Sequence, residues 1–262
     1  MSNGLSGRRV LVTRPAAQAE KLCRMIRQQG GEAIGLPAID IRPPANPAKV
    51  KKHLSRIETY DLGIFVSRNA VTWTVKLLGE NRDQLGKIPL LAIGEGTADE
   101  LSRAGFENVE HVTGRSDSEA LLQLPVLQEY AIRNNKVLIF RGEGGREVLA
   151  GALRKRGASV DYAEVYRRVA PVYSEAEIDR AFRPEAPDIV IITSYEGLKN
   201  LLGMLSSEWR ERLLQSQLVT IGERLAGQAR EEGFHKCPVV AGQATDAGLL
   251  AAVLENAGAS KK

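Results

Sequence analysis

The sequence repeats itself, and this repeat constrains the fold more than any other feature. Segments of the two halves match at an offset that grows only from 127 to 129 residues. A chance similarity between unrelated halves would not keep its register over such a length, so we expect two homologous domains. The matched segments are 10–14 with 137–141, Gly30 with Gly157, 65–67 with 192–194, 93–95 with 221–223, 105–106 with 233–234, and 117–121 with 246–250.

Short apolar runs alternate with amphipathic segments in each half. The runs suit parallel strands that are covered on both faces. Leu22, Cys23 and Ile26 recur at helical spacing, and we expect Cys23 to be a core residue. The alternation predicts an α/β protein with two similar doubly wound parallel-sheet lobes, flavodoxin-like or Rossmann-like. The predicted strands are residues 10–12, 62–66, 90–93, 137–140, 189–192 and 218–221.

Helix starts and prolines predict where the chain changes direction. Ser116 with Glu119, and Ser174 with Glu177, have the spacing of capping boxes. Proline-containing stretches at matching places in the repeat predict extended connectors rather than helices. We therefore expect one lobe from residues 1–36 and 172–262, a second lobe from residues 45–163, and a two-stranded connector made of 37–44 and 164–171.

Composition and charge exclude several classes of protein. The chain has 262 residues and a net charge of +4, with basic residues interleaved with acids, which gives no argument for nucleic acid. No apolar stretch is long enough for a membrane span, and the first residues have no apolar core of a signal peptide. Its two cysteines do not form a CxxC pair. We expect a reduced, cytoplasmic, monomeric protein with an acidic ligand.

Turns at the carboxyl ends of the predicted strands are the candidate ligand contacts, because ligands of open parallel sheets bind there. They combine small residues, hydroxyls and arginines at helix starts, where free amides and the helix dipole favour anions. For any single turn the alternative is simple capping. As a set, they favour a large polyacidic ligand in a cleft between the lobes. The candidates are Thr13, Arg14, Ser67, Asn69, Gly94, Thr97, Arg141, Gly142, Thr193, Ser194, Gly222 and Arg224.

Cofactor motifs are incomplete. Two stretches begin like GxGxxG but carry Glu147 and Asp99 at the third glycine position, where a carboxylate would repel a pyrophosphate. No GxxxxGK[ST] motif occurs, and the three histidines lack metal-ligand spacing. We therefore expect neither a cofactor nor a metal.

Tyr166 is the candidate for catalysis because it lies in the second predicted connector. A phenol with a pKa near 10 stays protonated at neutral pH, so it can donate a proton to a leaving oxygen. The alternative is a ring that packs against the connector. Tyr162, Tyr173 and Tyr195 compete for the same role by position.

The order and spacing of these segments resemble uroporphyrinogen-III synthases of the bacterial type, over nearly the whole chain. The resemblance rests on residues 10–15, 65–71, 93–98, 138–142, Arg146, Leu149, Gly157, 165–166, 192–194 and 221–222.

The resemblance implies two α/β lobes with the active site between them and no cofactor. It implies a linear tetrapyrrole substrate, hydroxymethylbilane, whose ring is closed with inversion of the last pyrrole and loss of water. Tyr166 matches the tyrosine thought to protonate the leaving hydroxyl. The matches expected to line the site are Ser67, Asn69, Arg141, Gly142, Ser194 and Gly222.

One turn departs from the family pattern. Arg224 and Leu225 stand where the family often has a threonine pair, whereas the first half keeps Thr97. Arg224 is the candidate to replace that hydroxyl as a partner for a carboxylate.

Two other functions fit this class of fold. They are a two-lobed cytosolic binding protein for an anionic small molecule and a nucleotide or sugar-phosphate enzyme, and the incomplete glycine motifs disfavour the latter.

Overall fold

The protein divides into two compact units in a computed structural model that describes residues 4–114 and 117–259. Unit 1 consists of Met1–Asp40 and Val169–Lys262, and unit 2 of Ile41–Arg168. In the described ranges, no helix has both the length and the apolar character of a membrane span.

Both units are built from strands that alternate with helices. The strands are β1 (Arg9–Val12), β2 (Glu32–Gly35), β3 (Asp40–Arg42), β4 (Leu62–Phe65), β5 (Leu90–Ala92), β6 (Glu110–His111), β7 (Lys136–Gly142), β8 (Ser159–Val169), β9 (Ile189–Ile191), β10 (Gln217–Thr220) and β11 (Val239–Val240). The helices are α1 (Ala16–Gln28), α2 (Pro47–Leu54), α3 (Arg68–Leu78), α4 (Glu95–Arg103), α5 (Ser118–Leu121), α6 (Glu129–Ile132), α7 (Val148–Lys155), α8 (Glu175–Phe182), α9 (Tyr195–Met204), α10 (Ser207–Leu214), α11 (Glu223–Glu231) and α12 (Asp246–Ala259). Short 3₁₀ helices occupy Ile57–Thr59, Gly79–Lys87 and Pro125–Leu127.

Unit 1 has a parallel sheet with the strand order β11-β10-β9-β1-β2. Taken in chain order, this is the flavodoxin-like order 2-1-3-4-5. Val10 and Val12 pack into the core below α1 and α12, whereas Leu11 packs into the core below α9 and α10. Because helices cover both faces of β1, its successive residues Val10, Leu11 and Val12 are all apolar, rather than every second residue.

Unit 2 has a six-stranded sheet with the order β3-β8-β7-β4-β5-β6. Its strands β8-β7-β4-β5-β6 correspond in position to β2-β1-β9-β10-β11 of unit 1. Phe65 and Phe140 stack on neighbouring strands with ring centroids 4.2 Å apart, in the core below α3 and α4. Ile64 and Ile139 pack into the opposite core below α7. Helices therefore cover both faces of this sheet too.

The structure confirms several local predictions. All six predicted strands are present, with ends that differ by at most two residues. Cys23 is buried in the core, and Ser174 forms a capping box with Glu177. The capping box predicted at Ser116 lies outside the described residues.

Strand β8 is the main element that the apolar-run criterion missed. It runs for 11 residues and mixes buried and exposed positions. Its second half was predicted only as an extended connector. Exposed polar residues such as Asp161 and Arg167 interrupt its apolar run.

Glycines matched by the repeat adopt the same unusual conformation in the two units. Gly30 after α1 and Gly157 after α7 have φ values of 79° and 86°. Gly105 after α4 and Gly233 after α11 have φ values of 94° and 101°. Glycine is favoured in this left-handed region because it has no Cβ, and such residues commonly end helices.

A hydrogen-bonded network joins the segment before β4 to β8. The Tyr60 hydroxyl donates to Asp161 Oδ2 at 2.9 Å and lies 2.6 Å from His53 Nδ1. Burial, and then the hydrogen bond to Asp161, raise the pKa of Tyr60 above its ordinary value of about 10. Tyr60 therefore stabilises the fold while its hydroxyl is protonated.

We expect the free energy of unfolding to fall as the pH rises above about 10, because the unfolded chain then ionises Tyr60 before the folded chain does. Tyr60→Phe should cost about 1–3 kcal/mol at pH 8, where it leaves Asp161 without its donor, and should flatten this alkaline decline. Urea unfolding of both proteins at pH 8–12 measures the effect. Tyr130→Phe is the control because Tyr130 is 79% exposed. An equally steep decline in Tyr60→Phe would contradict the prediction.

Candidate functional site

A pocket of about 300 Å³ opens in unit 2 at the carboxyl ends of β4 and β7. The helices that follow these two neighbouring strands, α3 and α7, pack on opposite faces of the sheet. Such a switch point is where doubly wound sheets bind ligands. The polar residues that line the pocket are Ser67, Asp117, Ser118, Arg141, Arg146, Tyr162, Tyr166 and Arg168.

Tyr166 places its hydroxyl at this pocket. Its oxygen lies 3.2 Å from Ser67 Oγ, while only 5% of the residue is exposed. Ser67 is the N-cap of α3, and its Oγ accepts a hydrogen bond of 3.1 Å from the Ala70 amide. Because Ser67 Oγ already accepts from the helix, its own proton remains available for Tyr166 or for a ligand.

A β-bulge directs the Tyr166 side chain. Arg141 pairs with Glu164 and Gly142 pairs with Tyr166, so Val165 is an extra residue on β8. Regular alternation would place Tyr166 on the same face as Glu164, but its ring packs in the opposite core with Phe140. Bulges are common next to active sites because they change the direction of a side chain.

Gly142 provides the space for the Tyr166 ring. A Cβ at Gly142 would lie 2.7 Å from both Cε2 and Cζ of this ring. The Glu143 amide also donates to the Tyr166 carbonyl at 2.8 Å, which holds the two strands together beyond the bulge. Gly142, predicted as a ligand contact, therefore has a clear packing role beside the candidate catalytic residue.

Arg141 lines the pocket, but its guanidinium is already bound by its own chain. Its two terminal nitrogens donate to the Gly145 carbonyl at 3.2 Å, the Arg146 carbonyl at 3.3 Å, Glu147 Oε1 at 3.0 Å and Glu164 Oε1 at 3.1 Å. Its Nε is buried and has no hydrogen-bond partner among the described residues. An unpaired buried donor costs about 1–3 kcal/mol, so strong contacts must hold this side chain in place.

Two further arginines at the pocket were not among the predicted contacts. Arg146 lies just before α7 with an exposed side chain, and Arg168 lies near the end of β8. Neither follows a predicted strand directly, so the positions of the strand ends do not indicate them. Their guanidinium groups are suited to carboxylate ligands.

The other predicted contacts of unit 2 lie near strand ends but do not line this pocket. Asn69 is the second residue of α3, and Thr97 is buried in the first turn of α4. Gly94 precedes α4, whose N-terminus has no side-chain cap. The pocket thus unites Ser67 with three other predicted residues, which are Arg141, Gly142 and Tyr166.

In unit 1, the first predicted turn is occupied by internal contacts. The Thr13 hydroxyl donates to the Ile191 carbonyl at 2.8 Å. Arg14 forms an ion pair with Asp246 at the start of α12 and lies 3.5 Å from Gln18 Oε1. Both side chains therefore stabilise unit 1 as it stands.

The remaining predicted residues of unit 1 lie at the starts of α9 and α11. Ser194 caps α9 and accepts from the Gly197 amide at 3.1 Å, next to a partly buried Thr193. Gly222 precedes α11, which has no side-chain cap, and a Cβ there would have no other atom within 4 Å. The fold therefore does not require a glycine at 222. Arg224 is exposed in the first turn of α11.

Tyr166 differs from the three competing tyrosines in the partner of its hydroxyl group. Tyr162 donates to Glu147 Oε2, Tyr173 to the Pro37 carbonyl at 3.0 Å, and Tyr195 to Glu232 Oε1 at 2.7 Å. Burial raises the pKa of Tyr162 and Tyr173, and the hydrogen bond to Glu232 raises that of Tyr195. Tyr166 instead faces a hydroxyl at the pocket.

Comparisons with known proteins agree on one family. The HEM4 family model, described as uroporphyrinogen-III synthase HemD, matches residues 20–251. The uroporphyrinogen-III synthase of Escherichia coli K12 is 34% identical over 244 residues, which cover 92% of this chain and 98% of that protein. The enzyme of Salmonella typhimurium LT2 is 33% identical over 244 residues, with the same coverage.

Solved structures of the same class share the fold. A mutant uroporphyrinogen III synthase of Thermus thermophilus has a TM-score of 0.62 at 18% identity, covering 97% of this chain and 100% of that one. The uroporphyrinogen-III synthetase of Helicobacter pylori 26695 has a TM-score of 0.64 at 18% identity, covering 95% and 99%. Together with the sequence matches, these similarities show that the chain belongs to the uroporphyrinogen-III synthase family.

Proposed function

We propose that this chain is a uroporphyrinogen-III synthase, a lyase that closes hydroxymethylbilane with inversion of the last pyrrole and loss of water. Family membership supports the reaction. The observation that carries the assignment to a site is the Tyr166 hydroxyl, 3.2 Å from Ser67 Oγ in a pocket that Arg146 and Arg168 also line.

The reaction needs positioning more than a strong catalyst, because the substrate also closes without the enzyme, to the uninverted isomer. The enzyme has to hold a flexible polyanion so that the last pyrrole is attacked at its substituted carbon, which gives a spiro intermediate. Arg146 and Arg168 supply cationic groups for its carboxylates, and the amides at the start of α3 add a partial positive charge.

Tyr166 acts as the general acid in this scheme. Its phenol gives its proton to the hydroxyl group of the substrate, the carbon–oxygen bond breaks, and water leaves. The phenolate that forms is stabilised by the Ser67 hydroxyl, which lies within hydrogen-bonding distance. A general acid contributes about 10²–10⁴-fold to such a step.

We also propose that the two units arose by internal duplication, with the predicted boundaries and the connector at 37–44 and 164–171. Three observations support this: the division of the chain at residues 40/41 and 168/169, the corresponding strand orders, and the matched left-handed glycines. The predicted contacts Thr193, Ser194, Gly222 and Arg224 of unit 1 stay part of the proposal, as does the absence of a cofactor.

The test supplies hydroxymethylbilane to the purified protein and separates the isomers that form. The proposal expects the III isomer in large excess over the uninverted product of spontaneous closure, without an added cofactor. Tight binding of hydroxymethylbilane without enrichment of the III isomer would favour the alternative, a binding protein for an anionic small molecule. The isomer ratio without protein is the baseline.

We expect Arg146→Gln and Arg168→Gln each to raise the KM for hydroxymethylbilane about tenfold, because each removes a cation that is worth about 1.4 kcal/mol to a carboxylate. Added salt should raise the KM less in the variants than in the wild type. Steady-state kinetics at several salt concentrations measure both effects.

Arg133→Gln is the matched control for these variants. Arg133 is an exposed arginine of unit 2 that pairs with Glu129 and does not line the pocket. A KM that changes equally in the control would show that only the overall charge matters.

A further inference from the structure

Three side chains surround the guanidinium group of Arg141 beside the candidate catalytic tyrosine. Arg141 bridges Glu147 before α7 and Glu164 on β8, with distances of 3.0 Å and 3.1 Å. The guanidinium carbon of Arg141 also lies 3.5 Å from the centroid of the Tyr162 ring. Tyr162 closes the group because its hydroxyl donates to Glu147 Oε2. We name this group, formed by Arg141, Glu147, Tyr162 and Glu164, the arginine cage.

The arginine cage lies next to the bulge that directs Tyr166, at the strand pair just before it. Arg141 and Glu164 are opposite each other on β7 and β8, in the last regular pair before Gly142 and Tyr166. Arg141 also donates to the Gly145 and Arg146 carbonyls, so it fixes the loop that follows Gly142. The cage therefore connects β8 at Glu164 to the loop that follows Gly142.

The repeat shows that the arginine cage belongs to unit 2 alone. At the offset of 127 that relates Gly30 to Gly157, Arg141 corresponds to Arg14, which pairs with Asp246 instead. Glu147 corresponds to Glu20, which pairs with the exposed Arg24, whereas the counterparts of the other relevant residues differ in chemistry. Tyr162 corresponds to Gly35, Glu164 to Pro37 and Tyr166 to Ile39. The cage thus occurs in the unit that also contains Tyr166, the candidate catalytic residue.

We propose that Glu147, Tyr162 and Glu164 are positioning residues, which hold Arg141 so that Gly142 and the bulge keep the Tyr166 hydroxyl at Ser67. Arg141 acts inside the protein in this role and does not bind a carboxylate of the substrate. The inference rests on the proposed function, since its kinetic test uses the same reaction.

The first test is Glu164→Gln, which keeps the shape of the side chain and removes its charge. A catalytic group misplaced by 1 Å can cost about 10²-fold, so we expect a partial shift to lower kcat about tenfold and to change KM less than twofold. In the Tyr166→Phe background the same substitution should change kcat less than about twofold, because the group it positions is gone. Equal effects in both backgrounds would overturn the proposal.

Tyr162→Phe is the second variant, in case Glu164→Gln folds poorly. It keeps the ring beside Arg141 and removes only the hydroxyl bound to Glu147. We expect Tyr162→Phe to lower kcat in the wild type and to have little further effect on kcat in the Tyr166→Phe background. Glu129→Gln, which removes an exposed ion pair with Arg133 in the same unit, is the control and should leave kcat unchanged.

Arg141→Lys separates positioning from substrate binding. A lysine keeps the charge but cannot donate to Glu147 and Glu164 from two separate nitrogens in a planar group. The proposal expects a lower kcat with a KM within twofold of the wild type. A KM about tenfold higher with an unchanged kcat would show that Arg141 binds the substrate, and would overturn the proposal.

A test without catalysis distinguishes this inference from the proposed function. The chain has six tyrosines, so the Tyr166 signal in a protein labelled with ¹³Cζ-tyrosine can be assigned by its loss in Tyr166→Phe. We expect this signal to move in Glu164→Gln and to stay in place in Glu129→Gln. An unmoved signal in Glu164→Gln would overturn the inference even in an active enzyme, whereas failure to make the III isomer would overturn the function alone.

Discussion

Tyr166→Phe is expected to lower kcat for hydroxymethylbilane at least about 10²-fold while leaving the protein folded. Phenylalanine keeps the buried ring but removes the proton that the leaving hydroxyl needs, and a general acid contributes about 10²–10⁴-fold. The lost hydroxyl contacts Ser67, whose Oγ keeps its bond to the Ala70 amide, so the free energy of unfolding should change by less than about 1 kcal/mol. Steady-state kinetics and urea unfolding measure the two effects.

Tyr173→Phe and Tyr195→Phe are the matched controls, because each removes a hydroxyl that donates within unit 1. Both variants should keep kcat within about twofold of the wild type, since neither tyrosine lines the pocket. If Tyr166→Phe retained full turnover, Tyr166 would lose its place as the acid. If one control variant lost turnover instead, that tyrosine would take the role.

Gly142→Ala should have a comparable effect on turnover through packing alone. The added Cβ would lie 2.7 Å from two carbons of the Tyr166 ring, closer than any ordinary contact, so the ring or the strand has to move. Overpacking of this kind costs about 1–3 kcal/mol in the free energy of unfolding. We expect kcat to fall about 10²-fold, because the hydroxyl leaves Ser67.

Gly151→Ala provides the control for this substitution. Gly151 lies within α7 of the same unit, where a Cβ would have no other atom within 4 Å. The change should stabilise the helix by about 0.5–1 kcal/mol and leave kcat unaltered. A Gly142→Ala protein with wild-type turnover would show that the Tyr166 ring need not be held where it lies.

Much of the fold could be predicted because local patterns encode it. Strands such as β1 and β4 are apolar at nearly every position, since their residues alternate between two cores that both exclude water. Ser67 and Ser194 stand at matching places in the repeat, and each caps a helix as its side-chain chemistry favours. Strand β8 was harder to predict because its exposed residues hide its periodicity.

The candidate site depended more strongly on contacts between distant segments. Resemblance and position both indicated Tyr166, but the direction of its side chain depends on Val165, the extra residue opposite β7. No local pattern marks a bulge of this kind. Arg168 could not be found from strand ends either, because it lies near the end of the strand that the apolar-run criterion missed.

The α/β class, the repeat and the family follow from the amino-acid sequence alone, because periodicity, caps and matched segments are local or ordered along the chain. The groups that surround Arg141 and the direction of Tyr166 depend instead on contacts between segments that are distant in the sequence. Pairing of β7 with β8 brings Glu164 within 3.1 Å of Arg141 across 23 positions of sequence. The register of that pairing, which is set by packing on both faces of the sheet, fixes the direction of each side chain.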